Sequence, residues 1–582
     1  MRAAEVRAAA HVPELQVWED LFHLVRGKGP GGRVPAAVDR ADLRLLAGHR
    51  AGELGVHYKF FPAQLDWFRT RSIRESFARR QTKPEASPLA APVALSMAGA
   101  ARHWRLVPWG LLLVGIALRL LAITRFSVSA DAAEYAVLGR SILQGRGMWL
   151  PLGEGWEFTD WSPGPSHHYP PAYPAYLVPF LAVIGYSPIA VQVAALVSGL
   201  ALIAIFFVAT RDLFGRDKAV WFAALLALDP VLVTTTGTGY AENLLTLMFV
   251  ITVAAILKSL REPRWILVAG LAAGIAYLTK SSVGPFFLIA GLAGFAWRFR
   301  FVRWKVFQDR AYLAGIGIFT VFSAGWALRN LSWFWDGTPA GLLLSWQTSE
   351  YFSYATTTAF AQPADYLWIL AVRLPFFAGL FLLVAAPWWR EIRSLHLLRD
   401  EAASALALAA GLTYVLAWLI SGALWVVERG PVFWADMSRY VVVASPVVWW
   451  MAAKGSGPAS PAFKKKFALA ATILIVMNGA AFLSPRLGVF EAYGAVRERA
   501  NPGDVVALDH LSKYEAELHL AGTGVDLEPY LGDTSADYVL TANTTRTFDG
   551  YALVDVYGSD NSTSVMPGWG AALWARSGEA AP

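Results

Sequence analysis

Apolar residues are gathered into eleven runs that polar and charged connections separate. The runs lie near residues 109–126, 188–209, 219–234, 243–257, 264–279, 284–297, 311–328, 367–388, 403–424, 438–453 and 467–483. A helix of about 20 apolar residues spans the core of a bilayer, whereas charged residues would interrupt a soluble core every few positions. The pattern therefore predicts an all-α polytopic membrane protein with about eleven transmembrane helices.

Basic residues alternate between these connections. The connections rich in Lys and Arg are 211–218, 258–264, 298–310, 390–399 and 454–466. The intervening connections carry few basic residues, and the positive-inside bias places the basic set in the cytoplasm. The predicted topology in the plasma (inner) membrane therefore has a cytoplasmic N-terminus and an extracytoplasmic C-terminus.

The N-terminal residues differ from the apolar middle of the chain. Residues 1–96 are rich in Arg and contain a Gly/Pro stretch at 27–32, but no run that could span a bilayer. Two interpretations stay open: a cytoplasmic extension over 1–104, or a native start at Met97. The segment is not a signal peptide, because the first apolar run begins about 100 residues too late.

The C-terminal residues predict a second kind of structure. Residues 484–582 contain more acidic than basic side chains and alternate short β-like runs at 504–508, 537–540 and 551–557 with a helical stretch near 512–520. This pattern predicts a small α/β domain outside the membrane. The transmembrane domain would then cover 105–483, with a first outer loop at 127–187.

Composition narrows the chemistry further. The chain is 56% hydrophobic and 16% charged, and it contains no cysteine. The absence of cysteine excludes disulfides, thiolate metal sites and cysteine nucleophiles. The net charge of +7 comes from connections assigned to the cytoplasm, so it does not indicate nucleic-acid binding.

Ionisable residues collect on the predicted outer side of the membrane, where each one is informative because its burial is costly. Asp131, Glu134 and Tyr135 share one face of an amphipathic helix predicted at 130–144 and ended by Gly145. We expect this helix to lie in the membrane interface with its acids towards a cavity. Since the helix dipole favours acids in a first turn, a solvated helix start is the alternative.

Three cations lie at the outer ends of apolar runs: Lys280, Arg329 and Arg439. No acid nearby in the sequence neutralises any of them, so they suit an anionic lipid head group such as a phosphate. The alternative is that each one is an anchor whose charged end reaches the interface.

Short motifs follow one another in a fixed order along this region. They are Arg119, Asp131-x-x-x-Tyr135 with Gly145, Tyr169-Pro170-Pro171-x-Tyr173-Pro174, Tyr240-Ala241-Glu242, Leu278-Thr279-Lys280, Trp326-Ala327-Leu328-Arg329-Asn330 and Arg439-Tyr440. Over about 105–483 the chain resembles the GT-C superfamily of membrane glycosyltransferases, in the branch of protein O-mannosyltransferases and aminoarabinose-lipid transferases. It departs from that branch at Ala132, where an acidic residue usually follows the Asp, and Glu134 is the candidate replacement.

The resemblance implies an inverting transfer of sugar from a polyprenyl-phosphate-sugar donor to an acceptor hydroxyl on the extracytoplasmic face. Asp131 is then the expected general base, and Glu134 would help to orient the acceptor or a metal. The three cations would stabilise the leaving phosphate. Sugar contacts are expected from Tyr135, His168, Tyr169, Glu242, Asn330 and Tyr440, although His167 and His168 more simply cap a Pro-rich loop. No motif has the usual spacing of metal ligands, so no cofactor is implied and a divalent ion stays open.

Two other functions fit a chain with many membrane spans. A transporter or flippase of lipid-linked sugars would show charges near the middle of the bilayer or related halves, and neither is present in the sequence. A ligase that moves a whole lipid-linked glycan would typically carry its large outer loop late in the chain, whereas here the largest is the first. Neither the sugar nor the acceptor, whether glycan, lipid or protein, can be predicted.

Overall fold

The computed structural model describes most of the chain from residue 90 onwards. The described residues are 90–152, 163–166, 169–280, 294, 296–334, 386–395, 400–411, 442–456, 460–483, 488–509, 511, 513–530, 535–541, 547–557 and 571–577. Met1–Ala100 and Ala101–Pro582 are separate compact units, and all the candidate site residues belong to the second unit.

Helices dominate the described part of the chain. They are α1 (Ala90–Arg125), α2 (Ala130–Leu143), α3 (Ala172–Ile184), α4 (Pro188–Phe214), α5 (Arg216–Ala227), α6 (Pro230–Gly237), α7 (Glu242–Ser259), α8 (Trp265–Thr279), α9 (Arg310–Phe334), α10 (Trp389–Arg393), α11 (Glu401–Gly411), α12 (Ser445–Gly455), α13 (Pro461–Leu483), α14 (Gly488–Arg499) and α15 (Lys513–His519). Short 3-10 turns lie at Arg303–Gln308, Ala386–Trp388 and Val442–Ala444.

Five of the described helices are long and apolar enough to cross a membrane, by length and composition. These segments are Leu106–Arg125, Pro188–Phe214, Glu242–Ser259, Arg310–Ser332 and Pro461–Leu483. The bent pair α5 and α6 makes a sixth if it forms one span. The protein is therefore an integral membrane protein. The predicted runs at 284–297, 367–388, 403–424 and 438–453 lie wholly or partly outside the described residues, and the count of eleven stays a prediction.

A helix that the sequence did not predict, α3, lies in the first outer connection. Pro174 falls in its first turn, where a missing N–H is tolerated. Tyr173, Leu177 and Leu181 recur every four residues and are buried, so they fasten one face of α3 to the protein. The Pro-rich sequence therefore starts a helix, which lies inside the predicted first outer loop at 127–187.

The predicted run 219–234 is broken in the structure. Helices α5 and α6 meet at a bend of 54°. Pro230 has no N–H to continue the helix, and the Asp229 carboxylate accepts hydrogen bonds from the N–H groups of Val231 and Leu232 to start a new one. The apolar run continues on both sides of Pro230, so the apolar pattern predicted one continuous helix.

Arg119 braces this break from α1. Its side chain is fully buried, and its guanidinium donates hydrogen bonds to the carbonyl oxygen of Leu232 and, at 3.4 Å, to that of Leu226. It also donates to the hydroxyl of Thr236 at 3.3 Å. Arg119, the first of the ordered motifs, therefore has a structural role, because carbonyl groups freed by the bend require donors.

Small residues and one glutamine lock α1 and α4 to the bent pair. A Cβ on Gly115 would meet the backbone of Ala227 at 2.6 Å, and one on Gly237 would meet the Ala122 carbonyl oxygen at 2.5 Å. Gln192 donates hydrogen bonds from Nε2 to the carbonyl oxygens of Phe126, at 2.8 Å, and Gly237, at 2.6 Å. These contacts fix the end of α1 beside the end of α6. Helix α2 follows α1 in the chain and therefore begins close to the end of α6.

Residues after α13 form a five-stranded mixed sheet in the order β4-β3-β5-β7-β6, and two short strands between α2 and α3 pair separately. The strands are β1 (Trp149–Leu150), β2 (Gly164–Pro165), β3 (Val505–Asp509), β4 (Asp526–Pro529), β5 (Tyr538–Thr541), β6 (Tyr551–Tyr557) and β7 (Ala571–Arg576). Strand β3 pairs in parallel with β4 and β5, whereas β7 pairs antiparallel with β5 and β6. The three predicted strands lie within one residue of β3, β5 and β6, and the predicted helix contains α15.

Substituting Arg119 tests its role as a brace. Arg119→Leu removes the donors to buried carbonyl groups, each of which costs about 1–3 kcal/mol when it is left without a partner. We expect a clearly lower midpoint of heat-induced unfolding in detergent, followed by tryptophan fluorescence. Arg211→Gln, at an exposed position near the end of α4, is the control and should leave the midpoint unchanged. Equal midpoints for both variants would contradict the bracing role.

Candidate active site

The start of α2 is fixed to the end of α6. The N–H of Ser129 donates to the carbonyl oxygen of Thr238 at 3.1 Å, and the Ser129 hydroxyl caps α2 by accepting from the N–H of Ala132 at 3.4 Å. Asp131 follows in the first turn, where the helix dipole favours its ionised form. At the other end, Gly145 adopts a φ of +76°, as predicted for a helix end.

A cluster of tyrosines joins Asp131 to the Tyr-Pro-Pro motif. The Tyr169 hydroxyl donates to Oδ1 of Asp131 at 3.4 Å. Tyr135 packs edge-on against Tyr169, with ring centroids 4.6 Å apart, and against Tyr173 at 5.0 Å. The Tyr173 hydroxyl donates to the carbonyl oxygen of Gly239 at 2.6 Å. The structure therefore brings together Asp131, Tyr135 and Tyr169, which are the predicted base and two of the predicted sugar contacts.

Arg329 and Asn330 reach the same cluster through Ser166. Arg329 donates from Nη1 to the Ser166 carbonyl oxygen at 2.5 Å and to Oδ1 of Asn330 at 2.8 Å, and its guanidinium lies 4.9 Å from the centre of the Trp326 ring. The backbone N–H of Tyr169 is 3.4 Å from the Ser166 hydroxyl oxygen, which accepts its hydrogen. A cation predicted to bind phosphate is thus connected to the residue that contacts Asp131.

Lys280 forms a buried ion pair with Glu242. Lys280 Nζ lies 2.5 Å from Oε1 of Glu242, and both residues are less than 9% exposed. The sequence has no acid close to this lysine, but α7 brings Glu242 to it from 38 positions away. The two residues were predicted to bind phosphate and sugar separately, and the structure shows that they also form an ion pair with each other.

The surroundings of Asp131 explain the departure at position 132. Ala132 is fully buried, and a Cβ added to Gly239 would lie 3.4 Å from the Ala132 Cβ. A carboxylate at 132 would therefore point into a packed contact rather than a cavity. Glu134 is half-buried on α2. Helix α2 packs against α3 and α15, and its place in the membrane interface stays a prediction.

The remaining predicted residues His168, Arg439 and Tyr440 lie outside the described residues, as does His167. Within the part of the chain that the structure describes, no group of three or more His, Cys, Asp or Glu side chains could hold a metal ion.

Helix α15 contributes groups that the sequence did not place near Asp131. Oε1 of Glu517 forms a 3.0 Å ion pair with Nη1 of Arg140 on α2, across 377 positions of sequence. Nε2 of His519 lies 3.4 Å from the carbonyl oxygen of Val128. A single sequence does not indicate contacts between residues that are so far apart. The local signal for a contact is the group of acidic and basic residues in α15.

Burial changes the protonation of these α15 side chains. Burial, together with the charge of Asp131, raises the pKa of Glu515 to about 8. Burial also raises the pKa of Glu517, although the charge of Arg140 opposes the shift. The pKa of His519 falls to about 4 because its ring is buried, so the ring is neutral. It donates its Nε2–H to the carbonyl oxygen of Val128, just before α2. At neutral pH the Glu515 side chain is therefore largely protonated.

Comparisons with known proteins concern the family and the fold. The model of the dolichyl-phosphate-mannose-protein mannosyltransferase family matches residues 168–327. No curated protein matches the sequence of the chain. The fold is similar to that of ArnT from Cupriavidus metallidurans bound to undecaprenyl phosphate, with 13% identity, coverage of 81% of this chain and 98% of that chain, and a TM-score of 0.54.

Two other solved structures are more weakly similar. The oligosaccharyltransferase from Archaeoglobus fulgidus in complex with Zn and sulfate matches with 13% identity over 74% of this chain and 67% of that chain, at a TM-score of 0.43. The arabinofuranosyltransferase AftD from Mycobacteria matches with 13% identity over 81% of this chain and 41% of that chain, at a TM-score of 0.44.

The helical membrane fold and the mannosyltransferase match together define a membrane glycosyltransferase. The match over residues 168–327 and the similarity of fold to ArnT support a glycosyltransferase of the GT-C type.

The buried pair of Lys280 and Glu242 can be tested for a role in binding apart from its role in stability. Lys280→Met leaves Glu242 buried without its partner, which costs about 3–5 kcal/mol of unfolding free energy. Lys280→Met with Glu242→Gln should recover most of the lost unfolding midpoint. We expect the double variant to transfer sugar at close to the wild-type rate, since the lysine charge is already balanced. A stable double variant without transfer would instead assign the pair to substrate binding.

Proposed function

We propose that the protein transfers a sugar from a polyprenyl-phosphate-sugar donor to an acceptor hydroxyl on the extracytoplasmic membrane face, with inversion at the anomeric carbon. The observation that carries this proposal is the carboxylate of Asp131, held at the start of α2 by the hydroxyl of Tyr169. Arg329 is connected to Tyr169 through Ser166, which contacts both residues. A base beside a cation suits a reaction that takes up a proton and releases a phosphate.

Asp131 is the proposed general base. Its carboxylate takes the proton of the acceptor hydroxyl while that oxygen bonds to the anomeric carbon. The bond from this carbon to the phosphate oxygen breaks, and the polyprenyl phosphate leaves with the electron pair. Direct displacement on the opposite face needs one base and no covalent intermediate, which gives inversion. The N-terminal position of Asp131 on α2 supports its ionised form before the reaction.

Arg329 is the first candidate for binding the leaving phosphate. Its guanidinium offers several N–H donors in one plane, a geometry that fits phosphate oxygens. Such donors stabilise the charge that grows on the leaving group. Arg439 remains a second candidate, and Lys280 is a weaker one because Glu242 balances its charge. The similar fold of ArnT bound to undecaprenyl phosphate supports a lipid phosphate as the leaving group.

Residues around Asp131 are proposed to bind the sugar and the acceptor. Glu134 would orient the acceptor hydroxyl from the same helix face. The acceptor is a glycan, a lipid or a protein. The proposed sugar contacts are Tyr135, His168, Tyr169, Asn330 and Tyr440, and Glu242 is a weaker candidate because Lys280 pairs with it.

Asp131→Asn tests the proposed base. The purified wild type should release labelled sugar from polyprenyl-phosphate sugars when a cell-envelope extract is the acceptor. The variant should be slower by about 10²-fold or more, in the range expected for the loss of a general base. Asp526→Asn, at an exposed carboxylate of β4, is the matched control and should keep the wild-type rate.

The result opposed to this proposal is equally specific. A wild type that consumes no such donor but moves the lipid across reconstituted vesicles would be a transporter. Transfer that Asp131→Asn does not slow would keep the enzyme class and remove Asp131 as its base.

The proposed topology can be tested because the chain contains no cysteine. We place Gln308, in a basic connection, in the cytoplasm and Ser577, after β7, outside. A membrane-impermeant maleimide should therefore label Ser577→Cys in intact cells and Gln308→Cys only after permeabilisation. Both positions are exposed, so lack of labelling would reflect sidedness rather than burial. The reverse pattern would contradict the positive-inside assignment.

A further inference from the structure

Helix α15 is buried in two hydrophobic cores at once. Tyr514 and Leu518 lie in the core of the membrane helices, which also contains the buried residues of α2. Ala516 and Leu520, which comes just after the helix, lie in the core of the C-terminal sheet and α14. Residues four apart share one face of a helix, so two opposite faces of α15 are buried in two different parts of the protein. Helix α15 therefore joins the C-terminal sheet to the membrane helices.

Helix α2 is surrounded by protein over more than one full turn, because residues 135–139 are all buried. Gly139 faces α3, since a Cβ at this position would lie 3.0 Å from the carbonyl oxygen of Pro174. Arg140 comes next, about 100° further round the helix, and its side chain contacts α15. The orientation of α2 therefore depends on α15 as well as on α3.

Arg140 connects α2 to two other parts of the protein. It lies in the last turn of α2, the helix whose first turn carries Asp131. Nη1 of Arg140 is 3.0 Å from Oε1 of Glu517, and the guanidinium lies 4.7 Å from the centre of the Tyr186 ring, in the connection between α3 and α4. A cation at this distance from an aromatic ring is attracted to it. Arg140 is thus held by a ring and by a carboxylate.

Glu517 depends on this contact more than Arg140 does. The Glu517 side chain is 20% exposed, whereas that of Arg140 is 42% exposed. Within the described part of the chain, the other carboxylate oxygen of Glu517, Oε2, is buried and accepts no hydrogen bond. A carboxylate buried without its cation is costly. Without Glu517, Arg140 can turn to solvent, but without Arg140 the Glu517 carboxylate reaches water only if α15 moves away from α2.

His519 connects the same helix to the segment before α2. Its Nε2 lies 3.4 Å from the carbonyl oxygen of Val128. On the other side, its ring stacks on Tyr493 of α14, with centroids 5.4 Å apart and planes at 9°, and lies 5.1 Å from the ring of Phe490. Helix α15 therefore contacts the protein near both ends of α2, and α14 supports it from behind.

We propose that Arg140 and Glu517 are positioning residues for sugar transfer: their ion pair connects the C-terminal sheet to α2 and thereby holds Asp131 in place. This inference rests on the proposed function and deepens it, because it makes the C-terminal sheet and its helices part of the transfer machinery. Neither residue has to touch the donor or the acceptor. A misplacement of about 1 Å can cost about 10²-fold in rate, so a shifted α2 would slow the reaction while every reacting group is still present.

Arg140→Met tests the pair, because it keeps most of the length of the side chain and leaves Glu517 buried without its cation. We expect kcat to fall about tenfold and the KM for the lipid-linked donor to stay within about twofold, since Asp131 is displaced while the contacts to the donor remain. Adding Glu517→Leu removes the buried charge and should restore kcat to within about threefold of the wild type. Arg146→Gln, at an exposed position just after α2, is the control and should keep both constants.

The rescue distinguishes positioning from a direct role in binding. A double variant as slow as Arg140→Met would overturn the proposal, because removing Glu517 cannot replace a cation that binds the substrate. A raised KM for the donor in both variants would likewise overturn it and assign Arg140 to the donor phosphate. A wild-type kcat in Arg140→Met would show that the pair is not needed for transfer.

Hydrogen exchange gives a readout that needs no activity. Amide exchange of residues 130–143 and 513–519 should be faster in Arg140→Met than in the wild type and should return to the wild-type rate in the double variant. Unchanged exchange in Arg140→Met would contradict the docking role of the pair. A wild type that consumes no donor would overturn the proposed function, and the exchange rates would still decide whether the pair holds α2 against α15.

Discussion

The brace of Arg119 across the break at Asp229 and Pro230 is the interaction on which the rest of the site depends. Bending a membrane helix frees carbonyl groups where no water can satisfy them, and a buried guanidinium supplies the missing donors. Because the bend is held, α6 ends at a fixed place. Residues Thr238 and Gly239 follow, and their carbonyl oxygens accept hydrogen bonds from the start of α2 and from α3. The position of the site therefore depends on a polar contact made inside the bundle.

Charge is used differently inside the bundle and at its surface. Lys280 and Glu242 compensate each other, and Arg119 is satisfied by backbone carbonyl groups. Such buried charges persist only with partners, so they stabilise one arrangement of the helices and have little left to offer a substrate. Asp131 and Arg329 instead lie in half-buried positions beside tyrosine and tryptophan rings. A polar substrate can reach groups of that kind.

Much of the local structure could be predicted from the sequence, because helix signals and strand patterns are short-range. The helix that carries Asp131 was predicted to within one residue at its C-terminal end, and the strand Tyr551–Tyr557 has the predicted bounds. The bend at Pro230 and the helix α3 were missed, since apolar runs look alike whether they are straight, broken or short. The pairing of Lys280 with Glu242 and the docking of α15 on α2 were missed because tertiary packing alone decides them.

The docking of α15 on α2 has a consequence for how the protein matures during synthesis. The helix carrying Asp131 emerges early, whereas α15 is made after every membrane helix described here. In the proposed topology, α15 also has to cross the membrane before it can meet α2. The contacts between α15 and α2 thus form only once this last segment has been exported. A chain halted during biogenesis would be inserted in the membrane with α2 lacking the partner that α15 provides.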